Sequence, residues 1–186
     1  SEDTWFVSNA TSSTVNAWAI GSATAYEDGG NAAYVSNDGG ESYAATLGTS
    51  TTISHLWKDF DFGESTDEYE IAFDWKGIGR QSGSSYYCYL GVFVTDLTPL
   101  PSSGTVSASY RYVRLAGAED WQNERVYLGN ITGQKRVIFT VYGYTNDAEL
   151  SIPMAIDNVN LSAISCTPAD LSSVSVTEVT EPPANV

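Results

Sequence analysis

The sequence feature that most constrains the fold is a stretch of strict alternation at residues 69–76. Large apolar side chains at the odd positions alternate with small or charged ones at the even positions, as YEIAFDWK. Because successive side chains of a strand point to opposite faces of the sheet, this segment has one face for a core and one for water. That pattern is typical of an antiparallel sheet that packs on one side only.

Other alternating stretches recur along the chain, separated by clusters of Gly, Asn, Asp and Ser. They lie at residues 16–20, 32–36, 53–62, 86–95, 110–115, 121–128, 136–144 and 154–164. We find no sustained period of 3.6 residues, which would indicate an amphipathic helix. Many short strands with turn residues between them predict an all-β fold, either a sandwich or a barrel. A chain of 186 residues is long enough for one such core.

The net charge of the chain limits the classes of partner that it can bind. Eight Lys and Arg residues stand against 23 Asp and Glu residues, which gives a formal net charge of −15. Such a surface repels phosphate backbones and anionic lipid headgroups, so we expect no nucleic-acid partner. The sequence also has no apolar run of the roughly 18 residues that a membrane span needs, so we expect no membrane insertion. Acidity suits either solubility or the binding of hard cations such as Ca²⁺.

The composition changes near the C-terminus. Residues 166–186 contain three prolines and no aromatic residue. We therefore predict a sandwich domain over residues 1–165, followed by a linker or by the first strand of a further module. Cys88 and Cys166 are the two cysteines, and the sequence leaves open whether they form a disulfide or remain free thiols.

Five short motifs, in order along the chain, resemble the choice-of-anchor J and cleaved-adhesin group of exported proteins. They are NAWAIG at 16–21, AYVSNDGG at 33–40, EIAFDWK at 70–76, DWQN at 120–123 and AIDNV at 155–159. This group is similar to eukaryotic MAM domains. The resemblance implies an antiparallel jelly-roll β-sandwich of the MAM or galactose-binding type. It also implies an extracellular or cell-surface module of a multi-domain protein, typical of the Bacteroidetes, with residues 166–186 leading into a fibronectin type III-like module.

A calcium site is the sharpest prediction. In regular alternation, Asp157 shares a face with Val159 and Leu161 and so points toward the core, where a carboxylate must be paired or bind a metal. Related jelly rolls pair a late Asp with an early acidic loop, and several carry a structural Ca²⁺. The resemblance therefore implies a site in which Asp157 and Asp28 share a calcium ion. The carbonyls near Asn31 and an acid at Asp3 or Glu2 would assist. The alternative is that Asp157 accepts hydrogen bonds from backbone amides at a strand entry.

Two further features have simple structural explanations. The segment Asn37–Gly40 is either a hairpin turn or a second cation loop, and we favour the turn. His55 is the only histidine and stands beside Leu56 and Trp57. Without a nucleophile motif near it, His55 is better explained as a packing or surface residue than as a catalytic base.

The aromatic residues give a second functional hypothesis. Trp57, Trp121, Tyr110 and Tyr112 would stack on sugar rings if they were exposed, whereas core packing is the competing explanation. The sequence thus predicts a non-catalytic adhesion or interaction module that calcium stabilises, with an extracellular glycan or protein as its ligand. The alternative is a carbohydrate-binding module that supports a glycan-degrading enzyme or a protease. An autonomous hydrolase is the weakest hypothesis, because a pair of acids can always be proposed among 23.

Overall fold

The alternating segments form β-strands, as expected. The structure is a computed structural model that describes residues 4–10, 15–27, 29–48, 50–64, 67–102, 104–143 and 153–164. Eleven strands lie in these ranges: β1 Phe6–Asn9, β2 Ala17–Gly21, β3 Ala32–Ser36, β4 Thr52–Asp61, β5 Glu68–Gly77, β6 Arg80–Ser82, β7 Ser85–Thr95, β8 Arg111–Leu115, β9 Ala118–Asn130, β10 Gln134–Gly143 and β11 Ala155–Ile164. A short 3₁₀ helix, Ala108–Tyr110, precedes β8. Nowhere in the described ranges does a helix occur that is long and apolar enough to cross a lipid bilayer.

The strands form two antiparallel sheets. One has the order β1-β4-β10-β7-β6, and β8 also pairs with β7; the other has the order β2-β3-β11-β5-β9. Strands that are neighbours in space are mostly distant in sequence, as in a jelly roll. The predicted fold class is therefore confirmed: the chain is an all-β, jelly-roll-like sandwich. The predicted boundary at residue 165 stays a prediction, because residues 165–186 lie outside the described ranges.

The core lies between the two sheets and is built as the alternation predicts. Ile71, Phe73 and Trp75 of β5 are buried, and so are Val92 of β7 and Phe139 of β10. Burying one side chain of this size contributes about 1.5–3 kcal/mol, so these alternating residues supply much of the stability of the sandwich. Cys88 is also buried in this core. The other cysteine, Cys166, lies outside the described residues, so both alternatives for the pair, a disulfide or two free thiols, stay open.

Two bulges change which way side chains point. In β11 the register shifts between Asp157 and Asn160, where Asn158 adopts a positive φ of 49°. As a result Asp157 lies opposite Asp74, while Leu161 lies opposite the buried Ile71. The prediction that Asp157 shares the core-facing side with Leu161 is therefore wrong, because the extra residue inverts the alternation.

The second bulge lies in β8. It interrupts the regular alternation that we expected over residues 110–115. Val113 pairs with Val92, but Arg111 pairs with Phe93, so Tyr112 is the inserted residue. Arg111 and Arg114 consequently lie on the same face of the sheet, although they are three residues apart.

The prediction that Asn37–Gly40 is a hairpin turn is also wrong. The strand before it, β3, pairs with β2 and β11, and the next strand, β4, belongs to the other sheet. The segment is instead the start of a long connection between the sheets. Asp38 organises it, because its carboxylate accepts hydrogen bonds from the Ser36 hydroxyl at 2.6 Å and from the Ser42 amide at 3.0 Å.

Candidate functional site

The outer face of the five-stranded sheet is rich in side chains that can bind a polar ligand. Three neighbouring strands, β11, β5 and β9, present their solvent-facing residues there in cross-strand rows. One row joins Asp157, Asp74 and Asn123, and the next joins Asn160, Ala72 and Arg125. We call the set Asp74, Trp121, Asn123, Arg125, Tyr127 and Asn158 the polar face.

Asp74 organises the centre of the polar face. Asp74 is buried, with 8% of its surface exposed, and its two carboxylate oxygens accept hydrogen bonds from two amide side chains. Asn123 Nδ2 donates to Oδ1 at 3.0 Å, and Asn158 Nδ2 donates to Oδ2 at 2.8 Å. The amide groups of both exposed asparagines are thereby held in fixed orientations, with their carbonyl oxygens left for other partners.

Aromatic side chains stand at both ends of this face. Tyr127 is 55% exposed and lies opposite Glu70, which forms an ion pair with Arg125. Trp121 is half-buried at the other end of the same strand. Tyr127 lies six positions after Trp121 along β9, which corresponds to roughly 20 Å of strand.

Residues from loops and a strand end build a wall beside Trp121. The Tyr26 ring meets the Trp121 ring edge-on at 5.9 Å between centroids. Lys76 Nζ lies 5.0 Å from the centroid of Trp121 and 4.6 Å from that of Tyr43, and the Tyr43 hydroxyl donates to the Pro153 carbonyl. These contacts fix the indole in one orientation, as a binding platform requires.

The electrostatics of the wall follow from its packing. Burial lowers the pKa of the Lys76 ammonium, and the nearby Asp120 carboxylate partly opposes that shift. The negative charge of Glu27, with that of Asp74 next, raises the pKa of the Tyr26 phenol. Tyr26 therefore stays a neutral hydroxyl, able to donate or accept a hydrogen bond at the edge of the polar face.

Asp157 connects this wall to the sheet. Its Oδ2 accepts a hydrogen bond from the Tyr26 amide at 2.9 Å, and its Oδ1 accepts one from the Asn158 amide at 2.7 Å. Asp157 and Asn31 also line one cleft of about 160 Å³, together with Trp5 and Ile20. The carboxylate thus holds the early loop against the bulge of β11.

The donor set around Asp157 gives a partial fit to calcium. Ca²⁺ takes six to eight oxygen ligands, and the described residues bring together Asp157 and Asn31. Asp28 and Asp3, like Glu2, lie outside the described residues. Within the described ranges no three His, Cys, Asp or Glu side chains are grouped closely enough to hold a metal ion. The calcium site stays a prediction. What the structure shows for Asp157 is that its carboxylate accepts hydrogen bonds from two backbone amides.

The four aromatic residues that we singled out do not form one site. Trp57 and Tyr110 lie on the side of the six-stranded sheet, where the connection between β7 and β8 crosses its outer face. Trp57 stacks on Phe6 at 4.5 Å between centroids, and the Arg136 guanidinium lies 3.8 Å from its ring. Tyr110 lines a cleft of about 220 Å³ under the same connection, with Leu100 at its side.

The other two aromatic residues lie elsewhere. Tyr112 is exposed, and its hydroxyl donates to the carbonyl of Leu128, at the edge where β8 meets β9. Trp121 belongs to the polar face. Of the predicted sugar-binding residues, Trp121 is the one that lies on the same strand as Asn123, beside Asp74.

His55 occupies a closed position. It is fully buried, and its Nδ1 lies 2.8 Å from the Thr140 hydroxyl. Burial lowers the pKa of His55 to about 4, and the backbone of Gly104 partly opposes that shift. The ring is therefore neutral at pH 7, and it packs beneath the connection between β7 and β8.

Sequence reasoning missed Asn123, Asn158 and Tyr127. Asn123 stands in the DWQN motif and Asn158 in the AIDNV motif, so both lay in segments that the resemblance had marked. The available signal was the charged face of β5, since any strand paired with β5 must present polar residues beside Asp74.

Comparison with known proteins supports the fold. No family model and no curated protein matches the sequence. Among solved structures, the chain resembles a cleaved adhesin domain of Lys-gingipain from Porphyromonas gingivalis, with a TM-score of 0.54, 15% identity, and coverage of 87% of this chain and 91% of that one. It also resembles TmCBM61 in complex with β-1,4-galactotriose, with a TM-score of 0.50, 16% identity, and coverage of 88% and 90%.

A third similar structure is the enzymatically active domain of tailspike protein 4 from bacteriophage CBA120, with a TM-score of 0.55 and 11% identity. The match covers 88% of this chain and only 20% of the tailspike chain. Sandwich domains of adhesins and of carbohydrate-binding modules thus share the architecture described above. At these identities the likeness shows the fold alone.

Proposed function

We propose that this chain is a non-catalytic glycan-binding module of a secreted or cell-surface protein, and that it binds sugar on the polar face. The observation that carries the proposal is the arrangement around Asp74, which holds the exposed amide of Asn123 on β9, the strand that bears Trp121 and Tyr127, and the exposed amide of Asn158 on β11. Fixed amide groups match sugar hydroxyls, and aromatic rings match the apolar faces of sugar rings. Adhesion and the support of an enzyme both use this same binding step.

The polar groups of this face favour binding over hydrolysis. A glycosidase needs one carboxylic acid that stays protonated and one carboxylate. Here Asp74 and Asp157 each accept two N–H donors of the protein itself, so both carboxyl groups are engaged in holding the asparagine amides and the Tyr26 backbone. His55, the only histidine, is buried away from this sheet and carries no free face for a substrate.

The ligand class follows from the shape of the face. The roughly 20 Å between the two aromatic positions suits an oligosaccharide better than a monosaccharide. The similar fold of TmCBM61, whose structure holds β-1,4-galactotriose, makes that trisaccharide a reasonable first probe alongside a glycan array.

Isothermal titration calorimetry with two matched tyrosine variants tests the proposal. Tyr127→Ala removes an exposed ring from the polar face, and Tyr112→Ala removes one from a different edge. We expect Tyr127→Ala to weaken glycan binding about three- to tenfold, because a ring contact is worth about 0.5–1.5 kcal/mol. Asn123→Ala should weaken it similarly, while Tyr112→Ala leaves it unchanged. A glycan array without any bound sugar, or equal losses in the two tyrosine variants, would contradict the proposal.

Calcium is the second part of the proposed function. Its support is that Asp157 and Asn31 line one cleft and that Asp157 anchors the loop at Tyr26, two residues before Asp28 in the sequence. A bound ion would tie that loop to β11 and so stabilise the wall beside Trp121. Its role would be structural, and the binding of sugar would remain with the residues of the polar face.

A further inference from the structure

A second cluster of aromatic and charged side chains lies on the opposite sheet. On the outer face of the six-stranded sheet, Tyr89 of β7 stacks on Tyr142 of β10 at 5.3 Å between centroids. Tyr86 meets Tyr89 edge-on at 6.0 Å. Arg114 of β8 places its guanidinium carbon 4.4 Å from the Tyr86 ring and 5.8 Å from the Tyr89 ring. With Arg111, these residues form what we call the tyrosine–arginine cluster.

The bulge in β8 creates this cluster. In a regular strand, residues three apart point to opposite faces. Because Tyr112 is inserted, Arg114 lies opposite Gly91 and Arg111 lies opposite Phe93, so both arginines reach the same face. Arg111 also acts on the Tyr89 hydroxyl: burial raises the pKa of that phenol, and the positive charges of Arg111 and Arg114 oppose the rise.

The two arginines differ from other basic residues of the chain. Arg125 pairs with Glu70, Arg136 with Asp59 and Lys135 with Asp96. Neither Arg111 nor Arg114 has a carboxylate partner among the residues that the structure describes. A chain with a net charge of −15 thus concentrates two half-buried cations at one point, and no acid of the described ranges forms an ion pair with either of them.

The chemistry of the cluster defines the ligand that it fits. A guanidinium can contact an aromatic ring through its face while its in-plane N–H groups remain for a bidentate carboxylate. The tyrosine rings beside it offer surfaces for the apolar face of a sugar. A long polyanion such as nucleic acid is disfavoured by the net charge of the whole chain. A short saccharide that carries carboxylates can contact the tyrosine rings with its apolar face and pair with the arginines through its carboxylates.

We infer that the tyrosine–arginine cluster is a binding site for uronic acid residues of an acidic glycan, separate from the polar face on the other sheet. Arg111 and Arg114 would bind the carboxylate, and Tyr86 and Tyr142 would contact the sugar ring. This site does not depend on the proposed function of the polar face, since the residues involved lie on different sheets.

Calorimetry with trigalacturonic acid tests the inference, with galactotriose as the neutral counterpart. We expect binding of the acidic trisaccharide to weaken at least about tenfold in Arg114→Gln and in Arg111→Gln, as for the loss of a hydrogen bond to a charged group. Arg114→Lys keeps the charge but not the planar fork, so it should fall between wild type and Arg114→Gln. Binding should also weaken as sodium chloride rises from about 50 to 500 mM.

Matched variants separate this site from a general charge effect and from the polar face. Arg125→Gln makes the same charge change on the other sheet, so it should leave trigalacturonate binding unchanged, and so should Tyr127→Ala. Three results would overturn the inference: absence of trigalacturonate binding by a folded wild-type protein, equal losses in Arg114→Gln and Arg125→Gln, or displacement by acetate at the same concentration as trigalacturonate. The last result would show an adventitious ion only. A melting curve for each variant confirms that it is folded.

Discussion

Asp74 and Asn158 are joined by a hydrogen bond of 2.8 Å from Nδ2 to Oδ2, across the pair formed by β5 and β11. The bond exists because Asn158 adopts the left-handed conformation at the bulge, with a φ of 49°. Asparagine tolerates that conformation better than most residues. One backbone irregularity therefore sets the direction of an amide group on the polar face.

We predict that Asp74→Asn destabilises the protein by about 1–3 kcal/mol, the cost of leaving a buried polar group unsatisfied. At present the amide groups of Asn123 and Asn158 each donate to a separate oxygen of Asp74. An asparagine at this position would offer only one acceptor oxygen to the two donors. Urea denaturation measures the change in the free energy of unfolding. Glu119→Gln, an equal change of charge at an exposed position, is the control. If both variants were equally stable, the Asp74 carboxylate would not be the organising group.

A second prediction concerns Gly91, which lies between two aromatic rings on the six-stranded sheet. A Cβ atom there would lie 2.7 Å from Cε2 of Phe93 and 3.3 Å from Cε2 of Tyr89. Gly91→Ala must therefore displace rings that are already packed, and we expect a loss of about 1–3 kcal/mol, as for other overpacked sites. It should also weaken trigalacturonate binding by moving Tyr89.

Gly48→Ala is the control for the glycine prediction, because its Cβ would meet only the Ser50 backbone at 3.8 Å. Thermal melts and near-ultraviolet circular dichroism of the two variants provide the comparison. A Gly91→Ala protein with wild-type stability and an unchanged aromatic spectrum would show that the rings move aside freely.

The pH dependence of stability should report on His55. Burial lowers its folded pKa to about 4 from an unfolded value of 6.5, so the unfolded state binds the proton more tightly. The contribution of the neutral ring is complete above about pH 6.5 and is lost as the pH falls toward 4. The shift corresponds to a loss on the order of 2–3 kcal/mol over that window.

Acidic residues also titrate in this window, so the test is a difference between two proteins. We expect the free energy of unfolding of wild type to fall more steeply than that of His55→Gln between pH 6.5 and 4, by urea denaturation at several pH values. Parallel curves would mean that His55 is protonated in the folded state without cost.

The calcium prediction is tested by melting the EDTA-treated protein with and without Ca²⁺. We expect Ca²⁺ to raise Tm in wild type and to have no effect on Asp157→Asn. Without the ion, Asp157→Asn should still melt a few degrees lower than wild type. Asp157 now accepts hydrogen bonds from two backbone N–H groups, and in the variant one of these N–H groups would face an NH₂ group. Asp61→Asn, at an exposed acid on the other sheet, should behave as wild type. A Tm that Ca²⁺ leaves unchanged in wild type would leave Asp157 with the amide-binding role alone.

The alternation of side chains predicted the fold well because burial decides it. Phe73 and Trp75 lie on the same face of β5 and are both buried, so the opposite face of that strand must point toward solvent. The resemblance supplied the jelly-roll topology, which local patterns do not encode, because the strands that pair, such as β5 and β11, are far apart in sequence.

The sites were predicted less well because both depend on a single inserted residue. Alternation placed Asp157 on the core side and separated Arg111 from Arg114. The bulges at Asn158 and Tyr112 reverse both expectations. A bulge is a local backbone choice that depends on the partner strand, so counting residues along one strand could not reveal it. Trp57 and Trp121 do not share a site for a different reason: they belong to different sheets, and alternation within one strand does not reveal which sheet the strand joins.

The two sheets of the sandwich pack about 10 Å apart and present their outer faces in opposite directions. The polar face and the tyrosine–arginine cluster therefore look away from each other, and a trisaccharide is too short to reach around the sandwich from one to the other. With both sites filled, one copy of the domain would hold two independent saccharide chains. It would then act as a cross-link within a polysaccharide matrix, with a stoichiometry of two even as a monomer.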